Sequence, residues 1–262
     1  MSTAIPPRID FRENSRRIDP HIPIAIQRAT ARLVAVRAAA VSQIPDWETL
    51  RQTAHDIRLR TLDHLDEYIT QVERQVVESG GHVHHARDAA EANAIVVAIA
   101  RQHQVKTVVK GKSMASEEIG LNHALDQAGV RAVETDVGEF IIQLAGVPPS
   151  HILGPAMHMS KEEIAALFAQ KLGVNAPPDP RRLTDIARAQ LREIFLRAEM
   201  GVTGANFIVA ETGTVVLVTN EGNGRMCTTL PDVHVVVAGI DKIGPDWNGV
   251  ATLLPMLVRN AT

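Results

Sequence analysis

Cysteine is almost absent from this sequence, in which Cys227 stands alone. One thiol cannot form an intrachain disulfide, and an iron–sulfur cluster is normally held by four cysteine thiolates. The sequence therefore favours a reducing, cytoplasmic location, and we expect this chain to bind no cluster by itself. Because no histidine motif accompanies Cys227, we interpret it as a small buried or turn residue and not as a nucleophile.

Aromatic residues and excess charge are also scarce. Aromatics make up 3% of the chain, and 27 Lys and Arg against 30 Asp and Glu give a formal net charge of −3. Platforms that stack nucleic-acid bases need aromatic side chains, and phosphate backbones need clustered positive charge, so we predict no nucleic-acid partner. Long apolar runs are lacking too. No stretch approaches the ~20 residues that cross a bilayer, and we predict no membrane span.

The composition is that of a globular chain with two differently patterned regions. At 262 residues, 45% of them hydrophobic, the length allows one large domain or two small ones. The change of pattern falls at Ser79-Gly80-Gly81. We predict an N-terminal arm of about 20 residues followed by a helical region up to residue 79, and an α/β domain over 80–262.

Local signals predict the order of the elements. A composition rich in Ala, Arg and Leu indicates a helix over 22–41. Apolar residues at three-to-four spacing indicate another over 47–78, which Asp46 could cap. Beyond the glycines, short β-branched runs alternate with helical patterns, which is typical of an α/β fold with mixed strand pairing. The predicted strands are 81–86, 105–109, 130–134, 205–210, 214–219 and 233–238. The predicted helices are 88–102, 113–129, 138–145, 160–173 and 184–201, with a further one after Pro245.

The loop Lys110-Gly111-Lys112-Ser113 is the first candidate site. It joins a predicted strand to a predicted helix, where backbone N–H groups and positive charge favour an anion such as a phosphate or a carboxylate. The alternative is that Ser113 only caps the helix and that both lysines are solvated, since this is not a Walker sequence.

A second candidate site lies in three glycine-bearing stretches, residues 201–206, 211–214 and 220–224. A carboxylate on a turn between apolar strands can be held at the edge of a cleft, where burial raises its pKa for acid–base or nucleophilic work. Glu211 is the candidate. The alternative is a plain hairpin turn at Thr212-Gly213 with a solvated Glu211.

Other polar clusters are weaker candidates. On a strand, His82 and His84 would share one face, but no further ligand motif accompanies them, so we predict no metal site. His151 and His158 either line a pocket or are packed. The acidic run Glu134-Thr135-Asp136 with Glu139 either binds a cation or orients basic groups, or it simply precedes a helix.

Three long stretches together resemble a known family. They are KGKSMASEEIGLNHAL (110–125), VETDVGEFIIQLAGVPPSHILGPAMHMSKEEIAALF (133–168) and GVTGANFIVAETGTVVLVTNEGNGR (201–225). They resemble the LUD (lactate utilisation) domain, and within it the B-type proteins, which are iron–sulfur subunits of a three-part bacterial system that oxidises L-lactate to pyruvate. The resemblance covers nearly the whole chain.

The resemblance implies a fold and a site. The fold is similar to that of CoA transferases and sugar-phosphate isomerases, a mixed sheet with helices on both faces, here preceded by the N-terminal helical region. Its pocket loops lie at strand ends, and Glu211 is similar in position to the catalytic glutamate of the CoA transferases. The ligand-binding residues expected on this basis are Lys110, Lys112, Ser113, Thr203, Gly204, Asn206, Thr212, Gly213, Asn220 and Asn223.

The resemblance also implies partners and cofactors. B-type proteins continue into a ferredoxin-like module whose CxxCxxC runs hold 4Fe–4S clusters, and this sequence has one cysteine and ends at Thr262. We therefore expect the clusters in a module absent from this sequence, and expect the chain to bind a small anionic ligand and other lactate-utilisation subunits without oxidising lactate alone. The alternatives are a CoA-transferase-like or isomerase-like enzyme that uses Glu211, and a non-catalytic scaffold.

Overall fold

The N-terminal region is helical. The computed structural model describes residues 11–18, 21–150 and 154–260. Its first helices are α1 (Phe11–Arg17), α2 (His21–Val41), α3 (Trp47–Asp63) and α4 (Leu65–Glu78). The predicted arm falls partly on residues outside the described ranges, and residues 11–17 form a helix instead. The helix predicted over 47–78 divides at His64, which ends α3 and precedes α4.

The rest of the chain alternates helices with short strands. The elements are α5 (Ala89–Gln102), β1 (Thr107–Lys110), α6 (Met114–Glu118), α7 (Leu121–Gln127), β2 (Arg131–Glu134), α8 (Val137–Ala145), α9 (Lys161–Leu172), α10 (Pro180–Phe195), β3 (Met200–Thr203), β4 (Phe207–Val209), β5 (Thr214–Val216), α11 (Asn223–Thr229), β6 (Val233–Val236), β7 (Ile243–Gly244) and α12 (Trp247–Asn260). Within the described ranges, no helix combines the length and apolar character needed to cross a bilayer.

The strands form two sheets. The first has the order β2-β1-β3-β6 and is parallel throughout, while the second has the order β5-β4-β7. Among the described strands, antiparallel pairing is confined to β4 and β5. The predicted α/β class with mixed pairing is therefore confirmed, whereas the narrower likeness to CoA transferases and sugar-phosphate isomerases stays a prediction.

Helices cover both faces of the parallel sheet. On one face, Val109 and Val133 pack with buried side chains of α8, α9 and α10, such as Phe140 and Phe168. On the other face, Val108, Met200 and Val202 pack with side chains of α5 and α7. These two apolar layers hold the strands, whose side chains alternate between the faces.

Several boundaries are set by the signals expected. Asp88 accepts a hydrogen bond from the Glu91 N–H at the start of α5, and Ser160 and Glu163 form the full capping box of α9. Gly146 and Gly173 end α8 and α9 in the left-handed conformation that glycine adopts without strain. The sequence predictions of these ends are confirmed.

Other predictions were wrong. Residues 81–86 form no strand, and the helix predicted over 113–129 is two helices separated by Gly120 at φ +68°. Asp179, and not Thr184, caps α10, because Pro180 fits the first helical position. The helix predicted to reach residue 201 stops at Phe195, and Met200–Thr203 is the central strand β3.

The N-terminal helices pack against the second sheet and against α12. Ala54 and Ile57 of α3 bury their side chains with Leu253 of α12. Arg58 donates hydrogen bonds to the carbonyl of Ile243, at 2.8 Å, and to that of Asp241. The helical region is thereby joined to the part of the chain that follows the parallel sheet.

A side chain covers the free edge of β2. The Gln143 amide donates to the Ala132 carbonyl at 2.9 Å and accepts from the Glu134 N–H at 3.1 Å. It thus occupies two backbone groups on the outer edge of this strand, which pairs with β1 on its other side. Gln143 belongs to α8, so the same contacts fix the helix against the strand.

The central strand allows an exceptionally close approach of α11. A Cβ added to Gly201 would lie 1.9 Å from the carbonyl oxygen of Cys227. That distance is far inside van der Waals contact, and the obstacle is backbone, which cannot rotate away. Gly201 is therefore required for α11 to lie on β3.

We predict that Gly201→Ala lowers the free energy of unfolding by about 2 kcal/mol or more, because overpacking of a rigid contact costs about 1–3 kcal/mol. Urea denaturation measures it. The control is Gly224→Ala, whose added Cβ meets the Thr219 side chain at an ordinary 3.6 Å. Equal stability of the two variants would contradict the close-approach argument.

Candidate functional site

The candidate site lies at the carboxyl ends of the parallel strands. In the order β2-β1-β3-β6 the chain runs outward in both directions from the pair β1 and β3, so their carboxyl ends form a topological switch point. Ligands of open α/β sheets bind in the crevice at this position. The loop 111–113 follows β1, and Gly204 follows β3.

Two glycines let these loops touch. A Cβ on Gly204 would lie 2.7 Å from Ser113 Oγ, and a Cβ on Gly111 would lie 3.4 Å from Thr203 Cγ2. The structure therefore brings Ser113, Thr203 and Gly204 close together, while the ligand role that the resemblance implies for them stays a prediction. Ser113 also caps α6, since its Oγ accepts a hydrogen bond from the Ser116 N–H at 3.3 Å. Ser113 is thus the N-cap of α6, and a ligand role beside the cap stays a prediction.

Lys110 forms a buried ion pair. Its Nζ donates to Glu134 Oε1 at 2.6 Å, and the two side chains are 1% and 7% exposed. Asn122 Nδ2 donates to the same oxygen at 2.7 Å. Lys110 and Glu134 are also register partners at the ends of β1 and β2. The lysine is therefore not solvated, and its charge is matched by a carboxylate of the protein itself.

We predict that Lys110→Met lowers the free energy of unfolding by about 3–5 kcal/mol, because it leaves Glu134 as an uncompensated buried charge. Adding Glu134→Gln removes that charge while keeping an oxygen for Asn122, so the double variant should regain most of the loss. Chemical denaturation of both variants at pH 7 measures this. A double variant no more stable than Lys110→Met would show that the pair does not act through its charge.

Lys112 lies among carboxylates at the start of α8. Its Nζ is 3.8 Å from a carboxylate oxygen of Glu139 and 4.0 Å from one of Asp136. Glu221, from the loop before α11, accepts a hydrogen bond from the Val137 N–H at 3.1 Å. We call the acidic groups around the two lysines the carboxylate cluster; its members are Glu117, Glu134, Asp136, Glu139 and Glu221.

Burial and mutual repulsion perturb the carboxylate cluster. Burial, followed by the charge of Glu117, raises the pKa of Glu139 to about 7, although Lys112 opposes the shift. Burial also raises the pKa of Glu117 and of Glu221, with repulsion from Glu134 and from Asp136 respectively as the next cause. Glu139 is thus poised to exchange a proton near neutral pH, as general acids and bases do.

We predict that Glu139→Gln stabilises the protein at pH 8 but not at pH 4. The folded state binds the Glu139 proton more tightly than the unfolded chain, so this group lowers stability as the pH rises from about 4.5 to about 7, by up to about 3 kcal/mol. Glutamine lacks this penalty. Urea denaturation of both proteins at the two pH values measures the difference, and a gain that is the same at both would contradict it.

Polar side chains continue from the cluster towards β6. Thr135 Oγ1 donates to the Lys110 carbonyl at 2.6 Å, and Asn223 Nδ2 donates to Thr135 Oγ1 at 3.4 Å. Thr203 Oγ1 and His234 Nε2 are 2.9 Å apart, and burial lowers the pKa of that imidazole. Of the predicted site residues, Asn223 therefore joins this region. Sequence reasoning missed Glu117 and His234, which no local motif marks. It did not select Glu221, although the candidate stretch 220–224 contains this residue.

Glu211 lies at the other end of the β4–β5 hairpin. The open end of the hairpin follows Gly204 closely, and Asn206 Oδ1 accepts there from the Val218 N–H at 2.7 Å. At the closed end, the Glu211 carboxylate accepts from the Trp247 N–H at 3.2 Å, and Gly213 packs against the backbone of Val76. This geometry does not support the predicted cleft shared by Glu211 and the lysines.

The remaining predicted ligand residues also belong to this hairpin and its surroundings. Thr212 Oγ1 is 2.9 Å from Thr214 Oγ1, within the turn itself. Asn206 satisfies the backbone of the hairpin, as described above. Asn220 is exposed in the loop between β5 and α11. A ligand role for these residues stays a prediction.

Within the ranges that the structure describes, the residues do not fit a metal ion or an iron–sulfur cluster. Over the described ranges, no group of three or more His, Cys, Asp and Glu side chains is arranged to hold a metal. His82 and His84 lie in a segment without regular structure, and His151 lies outside the described residues. Burial raises the pKa of the Cys227 thiol to about 11, whereas clusters bind thiolates.

A profile of the LUD domain matches residues 69–262. The chain belongs to the LUD domain family. The resemblance predicted from the three sequence stretches is therefore confirmed. The match begins within α4, and the predicted domain boundary at residue 79 stays a prediction.

Curated relatives of this LUD-domain chain are about twice as long. It is 44% identical over 93% of its length to the uncharacterized electron transport protein YkgF of Escherichia coli (strain K12), covering 51% of that protein. It is 43% identical over 90% of its length to Lactate utilization protein B of Oceanobacillus iheyensis and of Shouchella clausii, covering 50% of each. The chain thus spans about half the length of these relatives. No solved structure matches it.

Proposed function

We propose that this chain is the LUD-domain part of a lactate-utilisation protein, acting in a subunit of a system that oxidises L-lactate to pyruvate. The observation that carries the proposal is 43% identity over 90% of the chain to proteins named Lactate utilization protein B. In this proposal the iron–sulfur clusters, which the residues here do not fit, belong to sequence outside this chain. The chain's own part is to bind a small ligand and partner subunits.

The ligand we propose is a small 2-hydroxy or 2-oxo carboxylate, bound at the switch point between β1 and β3. The support is that Lys112 lies at this crevice beside Ser113 and Gly204, where the loops touch closely. Lys110 is committed to Glu134, so Lys112 is the cation that would face the ligand carboxylate. A charged hydrogen bond of this kind contributes about 1.5–3 kcal/mol.

We predict saturable binding of L-lactate or pyruvate to the purified chain at pH 6, measured by isothermal titration calorimetry. Lys112→Met should weaken the affinity by about tenfold or more, which corresponds to about 1.4 kcal/mol. Lys171→Met, at the exposed end of α9, is the matched control and should bind like the unmodified chain. Absence of binding to both compounds, or equal loss in both variants, would overturn the site.

A scaffold role is the second candidate, favoured by exposed apolar side chains on the N-terminal helices. Those that are exposed include Ile24, Val34 and Val36 of α2 and Leu59 and Leu62 of α3. We propose that other subunits of the lactate-utilisation system cover these helices. Co-purification with those subunits that is lost in Val34→Glu, while the thermal midpoint is kept, would support this role, and unchanged co-purification would exclude these helices.

A further inference from the structure

The switch-point site contains more acid than base. Five carboxylates, the members of the carboxylate cluster, surround two lysines, Lys110 and Lys112. One carboxylate, Glu134, is fully matched by Lys110. Lys112 acts on the other four, and Lys110 also acts on Glu117. Five carboxylates thus face two lysines, so a carboxylate ligand would enter a region of excess negative charge. Repulsion between like charges at low dielectric opposes such binding.

Glu139 is the group placed to relieve that repulsion. It is buried in the first turn of α8, with a carboxylate oxygen 3.8 Å from Lys112 Nζ, so a ligand carboxylate at Lys112 would lie within a few ångströms of it. Asp136, the other neighbour of Lys112, is engaged as the cap of α8 and accepts from the Gly138 and Glu139 N–H groups. Protonating Asp136 would weaken this cap, whereas protonating Glu139 weakens its ion pair with Lys112, which the ligand carboxylate would replace.

Charged groups from several neighbouring segments act on Glu139. Glu117 faces it from α6, Glu134 from β2, Asp136 from the turn before α8 and Lys112 from the loop after β1. Glu221, before α11, faces Asp136 and Lys112. The helices α9 and α10 meet α8 through apolar side chains such as Phe168 and Leu183. Lys112 is thus the cation that most opposes the rise in the pKa of Glu139.

We propose that a 2-hydroxy or 2-oxo carboxylate binds at Lys112 together with one proton, which Glu139 takes up. This inference rests on the proposed function, since it concerns the same site and ligand. The proton comes from solvent and forms an O–H bond on the Glu139 carboxyl; no bond of the ligand changes. Lys112 then loses its ion pair with Glu139, which has become neutral, and forms an ion pair with the ligand carboxylate instead. Because the pKa of Glu139 is raised to about 7, this carboxylate can take up a proton near neutral pH.

Proton uptake on binding is measured directly by calorimetry. The unmodified chain is titrated with sodium L-lactate and with sodium pyruvate at pH 8, in buffers that differ in ionisation enthalpy. We expect the apparent binding enthalpy to vary with the buffer by close to one proton per ligand. At pH 5.5, where Glu139 is already protonated, the uptake should fall towards zero. Between pH 7 and pH 8.5 the affinity should fall about tenfold per pH unit.

Two variants identify the group. Glu139→Gln imitates the protonated carboxyl, so its proton uptake should vanish and its affinity at pH 8 should exceed that of the unmodified chain by about tenfold. Glu162→Gln, an exposed carboxyl in the first turn of α9, is the matched control and should keep the uptake. Uptake that persists in Glu139→Gln would overturn the assignment to this residue.

The two proposals fail in different ways. Binding at pH 8 without proton uptake by the unmodified chain overturns the coupling and leaves the proposed function standing. Absence of binding from pH 5.5 to pH 8 overturns the ligand proposed for the site, and the coupling with it. Both results come from the unmodified chain, so neither depends on whether a variant folds.

Discussion

The missing side chain at Gly201 determines what can meet at the switch point. Because β3 has no Cβ there, α11 lies directly on the strand, with the Cys227 carbonyl where a methyl group would stand. The loop that precedes α11 is thereby held over the ends of β1 and β2, which puts Glu221 on the Val137 N–H and Asn223 on Thr135. The close packing of α11 on β3 thus places Glu221 and Asn223 beside the residues that follow β1 and β2.

Local sequence signals predicted many of the helix ends, but they did not predict the central strand β3. Caps and left-handed glycines act within a few residues, so the ends of α8 and α9 were predictable from sequence. The central strand β3 was not, because a strand buried on both faces has no polar–apolar alternation and here follows a helix without a strong stop signal. The run Asn220–Gly224 consists mainly of residues that favour turns, yet α11 begins within it, so this helix has no clear local signal.

The sequence indicated the separate basic and acidic segments of the site, but not which of their charged side chains form ion pairs. The strand-to-helix loop with Lys112 and Ser113 was visible as a motif, and so were the acids at 134–139, but their mutual pairing depends on which strands are neighbours. Once β1 lies beside β2, Lys110 and Glu134 are register partners, and the lysine meets a carboxylate of the chain itself. The resemblance to the CoA transferases implied that Glu211 shares this cleft, and no local signal shows which end of the β4–β5 hairpin lies near the switch point.

The Gln143 amide has a consequence for assembly. An unpaired strand edge is a template on which another chain can extend a sheet. At β2 that template is already filled, since one carbonyl and one N–H of the outer edge are bound by a side chain that is itself fixed in α8. A strand of another molecule could pair with β2 only after displacing the Gln143 side chain from these two backbone groups. The outer edge of β2 is therefore protected against strand addition.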